Sequence, residues 1–132
     1  MEILADTHIL LWCFFEKDKL NQKAREYLLN NNNKIYYSIM SMWEVAIKHK
    51  QGKIGVSGTE FMHYCEQCGF IKLPYDDRHV VALETIEKKP DTPPHNDPFD
   101  LGLLAQAKGD SIMLLTHDQK FSYYDEPYCL IV

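Results

Sequence analysis

Apolar and polar positions along this chain switch between a two-residue and a helical period, and the switches mark out its elements. Residues 2–5 form a short apolar run ending at Asp6, which predicts a strand, and residues 7–15 continue as an apolar helix. Asn21 caps a helix to about residue 30, with Ala24, Tyr27 and Leu28 on one side, and the polar run 30–33 turns the chain. A β-rich run over 34–37 comes next. Ser38 or Ser41 can cap the next helix, which extends to about His49 and closes at Gly52; another covers 59–68 until Gly69 stops it. Residues 70–73 read as a strand ended by Pro74, and 76–88 as a helix. Three prolines over 89–96 make that stretch a loop. It leads into Asp97-Pro98-Phe99-Asp100, a helix over 101–108 with Leu103, Leu104 and Ala107 on one side, and strands over 111–115 and 128–132. Strands alternating with helices predict an α/β fold, a mainly parallel sheet between helical layers, with ligands gathering at the carboxyl ends of the strands.

Length and composition narrow the picture. A chain of 132 residues, 45% apolar and 25% charged, fits one domain over 1–132 with no room for a second core. The net charge of −5 argues against a nucleic-acid binder that relies on bulk electrostatics; RNA contact would need a local basic patch or a bound cation that reverses the sign of an acidic pocket. Glu2 stands where an export signal carries basic residues, and Asp6 and His8 interrupt the apolar start. No run approaches the ~18 apolar residues of a membrane span. A cytoplasmic protein is expected, with Cys13, Cys65, Cys68 and Cys129 as free thiols. Cys65 and Cys68 have the spacing of half a zinc site, but no second pair is present.

The chemistry lies in the acids. Asp6 ends the first strand, Asp118 follows the 111–115 strand, Asp100 opens the helix feeding that strand, and Glu44 falls beside Met40 and Ile47 on the inward side of its helix. Carboxylates ~4 Å apart repel by about 4 kcal/mol per pair at an effective dielectric near 20, so a cluster must protonate, find Lys or Arg, or bind a cation. Oxygen ligands suit Mg²⁺ or Mn²⁺, which can activate water against a phosphodiester. Each acid also has a plain structural reading. Asp97 can cap the helix that Pro98 begins, and Asp100 then sits at N3. Asp6 can cap the first helix, Asp118 can cap the short turn after it, and Glu44 can pair with Lys48.

Four motifs in order resemble the PIN-domain family, and within it the VapC-type toxins, over 3–132. They are Leu4-Ala-Asp6-Thr7-His8-Ile-Leu-Leu-Trp12; Ser38-Ile-Met-Ser-Met-Trp43-Glu44-Val-Ala-Ile-Lys48; His95-Asn-Asp97-Pro-Phe-Asp100 with Leu104-Ala-Gln-Ala107; and Leu114-Leu-Thr116-His-Asp118-Gln-Lys-Phe121 with Tyr124. The resemblance implies a three-layer α/β/α fold and a metal-dependent endoribonuclease. Asp6, Glu44, Asp100 and Asp118 then take the places of the acidic quartet that holds Mg²⁺ or Mn²⁺, with Thr116 beside them and Asp97 a possible fifth. It also implies in-line attack of water on phosphorus with the 3′ oxygen leaving, an antitoxin partner of the VapB kind whose tail fills an apolar groove, and a homodimer. Asn96 and Leu101 depart from the family, where basic neighbours are frequent.

Lys48, Lys50, Lys53 and Arg78 are candidates for phosphate contact, although a solvated surface suits them better. Trp12 and Trp43 read as core residues, with base stacking as the alternative. Trp43, Phe61 and the Tyr123-Tyr124 pair are candidate exposed anchors for a partner. Two other classes compete. An Mg²⁺-dependent phosphatase or phosphotransferase with an aspartyl nucleophile would want a second acid two residues after Asp6, where His8 stands. A non-catalytic binding module would use the acids only as caps.

Overall fold

The strand predicted over 2–5 occupies the middle of a sheet. In the computed structural model, which describes residues 1–132, strands β1 (Glu2–Ala5), β2 (Lys34–Ser38), β3 (Ile71–Leu73), β4 (Met113–Thr116) and β5 (Cys129–Ile131) pair in parallel in the order β3-β2-β1-β4-β5. Leu4 faces Tyr36 on one side and Leu114 on the other. The period of two sends alternate residues of the central strands to opposite faces. Ile3, Ala5, Ile35, Tyr37 and Leu115 enter one core, and Leu4, Leu73 and Leu114 enter the other.

Helices α1 (Thr7–Phe15), α2 (Gln22–Leu29), α3 (Ile39–Lys50), α4 (Gly58–Gln67), α5 (Asp77–Leu83) and α6 (Pro98–Asp110) make the outer layers. The chain steps outward from β1 through β2 to β3, then returns past β1 to β4. Right-handed crossovers, the near-universal choice, put helices on one face before that reversal and on the other after it. The cores divide accordingly: Ile9, Leu10, Ala24, Val45 and Phe61 pack on the first face, and Leu103, Leu104 and Ala107 of α6 on the second. This is the three-layer α/β/α arrangement expected. The reversal lies beside β1, so the carboxyl ends of β1 and β4 border the crevice where open α/β sheets bind ligands.

Local chemistry fixes the helix starts. Asn21 accepts from the Ala24 N–H, Ser38 rather than Ser41 caps α3, and Ser57 with Glu60 forms a reciprocal capping box at α4. Gln106 is fully buried on α6. Its Nε2 donates to the Leu73 and Pro74 carbonyls at 3.3 Å each, and its Oε1 accepts from Ser38 Oγ, which ties α6 to the ends of β2 and β3.

The helix expected over 76–88 stops at Leu83. The residues beyond it pair with the chain before β5: Lys88 bridges Tyr124, and the Lys89 N–H reaches the Tyr123 carbonyl at 2.7 Å. Tertiary pairing overrides helix propensity there. At α6 the expected cap is present: Asp97 caps a helix that starts at Pro98, which places Asp100 at N3.

Helices α3 and α4 meet at Gly58, where an added Cβ would lie 2.9 Å from Ala46 Cβ and 3.1 Å from the Met42 carbonyl oxygen. Backbone cannot retreat as a flexible side chain can. Gly58→Ala is therefore expected to destabilise the fold by about 1–3 kcal/mol, as overpacking does; an unchanged urea midpoint would contradict this helix contact.

Candidate functional site

Asp6 is the first residue after β1 and is held in both the sheet and α1. Its N–H donates to the Leu115 carbonyl at 2.9 Å and its own carbonyl accepts from Leu10 at 3.1 Å. The side chain makes no capping bond to α1, contrary to the plain reading of that position. It turns into the carboxyl edge of the sheet, where the residue is 4% exposed and Oδ2 accepts from Thr116 Oγ1 at 2.7 Å. Thr116, at the end of β4, also accepts the Asp118 N–H at 3.0 Å, so one hydroxyl links two acidic positions.

Glu44 is buried on α3, and Lys48 Nζ reaches its Oε2 at 2.7 Å, so the i,i+4 pair exists. A buried hydrogen bond from Thr7 Oγ1 to Ser41 Oγ at 2.7 Å fastens the start of α1 to α3 one turn before Glu44. Asp118 accepts from the Lys120 N–H at 2.9 Å, and Asp97 from the Phe99 and Asp100 N–H groups at 2.9 and 3.3 Å. Both are caps. A cap uses only part of a carboxylate, whose two oxygens accept more than one hydrogen bond. Asp100 projects from the first turn of α6, and His95 Nε2 lies 3.0 Å from its Oδ2.

His95 is a site residue that the sequence left without a role. It comes from the proline-rich loop, and its other ring nitrogen lies 2.7 Å from Tyr124 Oη. The ligand atoms of His95, Asp100 and Asp118 all lie within 4.8 Å of one another, a group able to hold a metal ion. Asp6, Glu44 and Asp97 stand close enough to act on Asp100 through their charge. Burial, followed by the charges of Asp6, Asp97, Asp118 and Glu44, pushes the Asp100 carboxyl up to about 8. Burial also raises Asp6, against the hydrogen bond from Thr116 that favours its ionised form. The donor set is two or more carboxylates and an imidazole with too little positive charge nearby, which fits a divalent cation.

The rim is aromatic. Trp43, read as a core residue and alternatively as an exposed anchor, is 59% exposed, and its ring meets Phe99 edge-on at 6.4 Å, next in sequence to Glu44 and Asp100. The inward positions of α3 are Ser41, Glu44 and Val45, which turns Trp43 outward. Trp12 packs against His117 at 5.1 Å and His8 at 6.2 Å. Phe61 and Tyr124, considered as exposed anchors, are buried in the two cores instead. Lys48 is engaged by Glu44, and Arg78 by Asp76 and Asp110, whereas Lys50 and Lys53 are exposed and take part in no ion pair. The four cysteines are free thiols.

The PIN domain family model matches residues 3–127. This chain belongs to the PIN domain family. Members are in general nucleases, so the acidic edge described above lies in a fold of nucleic-acid hydrolases. The fold is also that of two solved structures. The crystal structure of VapBC2 from Rickettsia felis bound to a DNA fragment from their promoter aligns over 100% of this PIN domain and 98% of that chain, at TM-score 0.70 and 14% identity. FitAcB from Neisseria gonorrhoeae aligns over 88% and 87%, at TM-score 0.56 and 20% identity. No curated protein matches in sequence.

The raised Asp100 carboxyl sets a pH dependence. A carboxyl held near 8 when folded and near 3.8 when free binds its proton more tightly in the native state, so its contribution to stability falls as pH rises between those values. In chelator, Asp100→Asn should raise the urea midpoint relative to the parent at pH 8 and lose this advantage towards pH 4; a variant less stable at pH 8 would refute the charge argument.

Proposed function

We propose that this PIN domain is a metal-dependent endoribonuclease, the toxin of a toxin–antitoxin pair, with Asp6, Glu44, Asp100 and Asp118 as the residues that hold Mg²⁺ or Mn²⁺. The observation that carries the reading is the incompletely compensated carboxylate cluster at the switch of strand order, centred on an Asp100 that cannot readily ionise without a cation. Membership of a family of nucleases supports the class of reaction.

The reaction is hydrolysis of a phosphodiester: water oxygen joins phosphorus, the bond to the 3′ oxygen breaks, and that oxygen takes up a proton. A bound divalent cation supplies charge against these carboxylates and the phosphate, and makes water a stronger nucleophile. The chain supplies the positioning. Thr116 Oγ1 donates to Asp6 and fixes the carboxylate at the centre of the edge. Lys48 balances part of the Glu44 charge, and the Asp97 cap holds the first turn of α6, and with it Asp100, in place. Trp43 with Phe99 on one side, and Trp12 with His8 and His117 on the other, offer ring surfaces on which unpaired bases can stack, a mode that tolerates an acidic protein.

The VapC-like motif order and the likeness to VapBC2 support an antitoxin partner of the VapB kind. A hollow of about 460 Å³ between α1, α2 and the end of α4, lined by Phe14, Leu20, Leu28, Leu29 and Tyr64 with Lys17 and Arg25 at its margin, is the groove we assign to the antitoxin tail. It contains none of the acids. We further infer one domain over 1–132, a homodimer, and action in the cytoplasm, where RNA is the substrate; no helix is long and apolar enough to cross a membrane.

The test is cleavage of total cellular RNA by purified protein with Mn²⁺, Mg²⁺ or chelator. Asp6→Asn, folded by circular dichroism, should lose more activity than the ~10–100-fold that follows loss of an outer partner of a metal site. Cleavage that survives chelator, or equal cleavage by Asp6→Asn, would defeat the metal reading, and no cleavage of any RNA by antitoxin-free protein would favour a binding module.

A further inference from the structure

The hydrogen count around His95 assigns it a second task. Tyr124 Oη has one proton and lies 2.9 Å from the buried carbonyl of His95, which no other protein donor reaches. If the tyrosine donates there, its oxygen is left to accept from His95 Nδ1 at 2.7 Å, so the ring proton belongs on Nδ1. The Nε2 lone pair then faces Asp100 Oδ2 at 3.0 Å, with an Asp118 oxygen inside the same 4.8 Å cluster. Nε2 and the two carboxylates therefore form one group whose ligand atoms can share a cation, and the His95 side chain is 6% exposed, so the ring faces these acids rather than bulk water.

The geometry points to a mixed nitrogen–oxygen cation site, in which His95 Nε2 joins Asp100 and Asp118 as a ligand and selects first-row transition-metal dications over Mg²⁺. The inference rests on the cation site proposed above and adds a nitrogen ligand to its acids. A metal-binding histidine ordinarily donates its second ring nitrogen to a fixed partner, which sets the tautomer and the ring's aim. Here Tyr124 is that partner, packed in the core beside Phe121 and closed in a loop with the backbone of His95 itself. Imidazole suits first-row transition-metal dications, among which Mn²⁺ is the weakest binder, whereas Mg²⁺ favours oxygen ligands and keeps its water. The consequence is a site whose metal preference is set by a loop residue outside the sheet edge that carries Asp6.

Pulsed EPR of the Mn²⁺-loaded protein, unlabelled and with ¹⁵N-histidine, tests this beside calorimetric titrations with MnCl₂ and MgCl₂. The expected result is a ¹⁴N coupling to bound Mn²⁺ that becomes ¹⁵N on labelling and is absent from His95→Gln. That variant should lose ~10-fold or more in Mn²⁺ affinity, the scale on which metal sites respond to such changes, with Mg²⁺ affinity nearly unchanged. Should His95→Gln not fold, a His8→Gln/His117→Gln variant removes the other histidines near the acids and should retain the coupling. Mn²⁺ bound without nitrogen coupling, or coupling lost in the His8/His117 variant, overturns the assignment and leaves an oxygen-only cation site and the nuclease reading intact. Failure of the parent protein to bind Mn²⁺ at all overturns both.

Discussion

A central strand buried from its second residue onward constrains everything else in this molecule. β1 has paired neighbours on both edges and side chains in both cores, so Ile3, Leu4 and Ala5 have no exposed surface and the strand cannot shift by one residue without exchanging its faces. The next residue is fixed with it. Asp6 still bonds to β4 through its N–H while its carbonyl starts α1, which holds its carboxylate at the buried edge of the sheet. Burying an acid is unfavourable, and the fold tolerates it with Thr116, a neutral donor that relieves only part of the penalty. Local rules violated in this way belong at functional sites.

Compensation is uneven among the acids, and the unevenness organises the site. Glu44 has Lys48; Asp97 and Asp118 have backbone N–H groups; Asp6 has a hydroxyl. Asp100 has only the imidazole of His95, and the other carboxylates act on it together. Asp6 and Asp100 are both held above the ordinary carboxylate range, chiefly by burial, so the penalty falls on both. A dication entering the cluster relieves it, which gives the fold a driving force for binding that a set of fully paired acids would lack.

Much of this was legible in the chain because it is written in short-range chemistry. The polar stop after an apolar run placed Asp6 at a strand end, Asn21 and Asp97 signalled caps, and the spacing of Glu44 to Lys48 forecast their pairing. What escaped was set by distant partners. Residues 84–86 turn off the end of α5, and the backbone of 87–89 pairs with 123–125. His95 sits in a loop with no periodicity, and its role depends on a tyrosine 29 residues away. Trp43 admits two readings for another reason: a tryptophan among apolar neighbours reads as core, while the helical phase set by Ser41, Glu44 and Val45 turns it outward, as the anchor reading requires.

The same charge distribution bears on how an acidic PIN domain would hold RNA under the proposed function. A net charge of −5 gives no general attraction for a polyanion, and two of the four candidate phosphate contacts, Lys48 and Arg78, are committed to acids of the protein itself. Ring stacking on the rim is insensitive to that balance but does not overcome a cluster of carboxylates at the point where phosphate must come to rest. On the proposed reading, a cation is therefore needed for the substrate to settle as well as for the chemistry. Linkage makes the relation reciprocal: a phosphate that binds better with the cation present must tighten the cation by the same factor. On that reading the weak basic surface of this chain would be a means of control, since RNA far from the cluster would have little to hold it and RNA at the cluster would be held in proportion to metal occupancy.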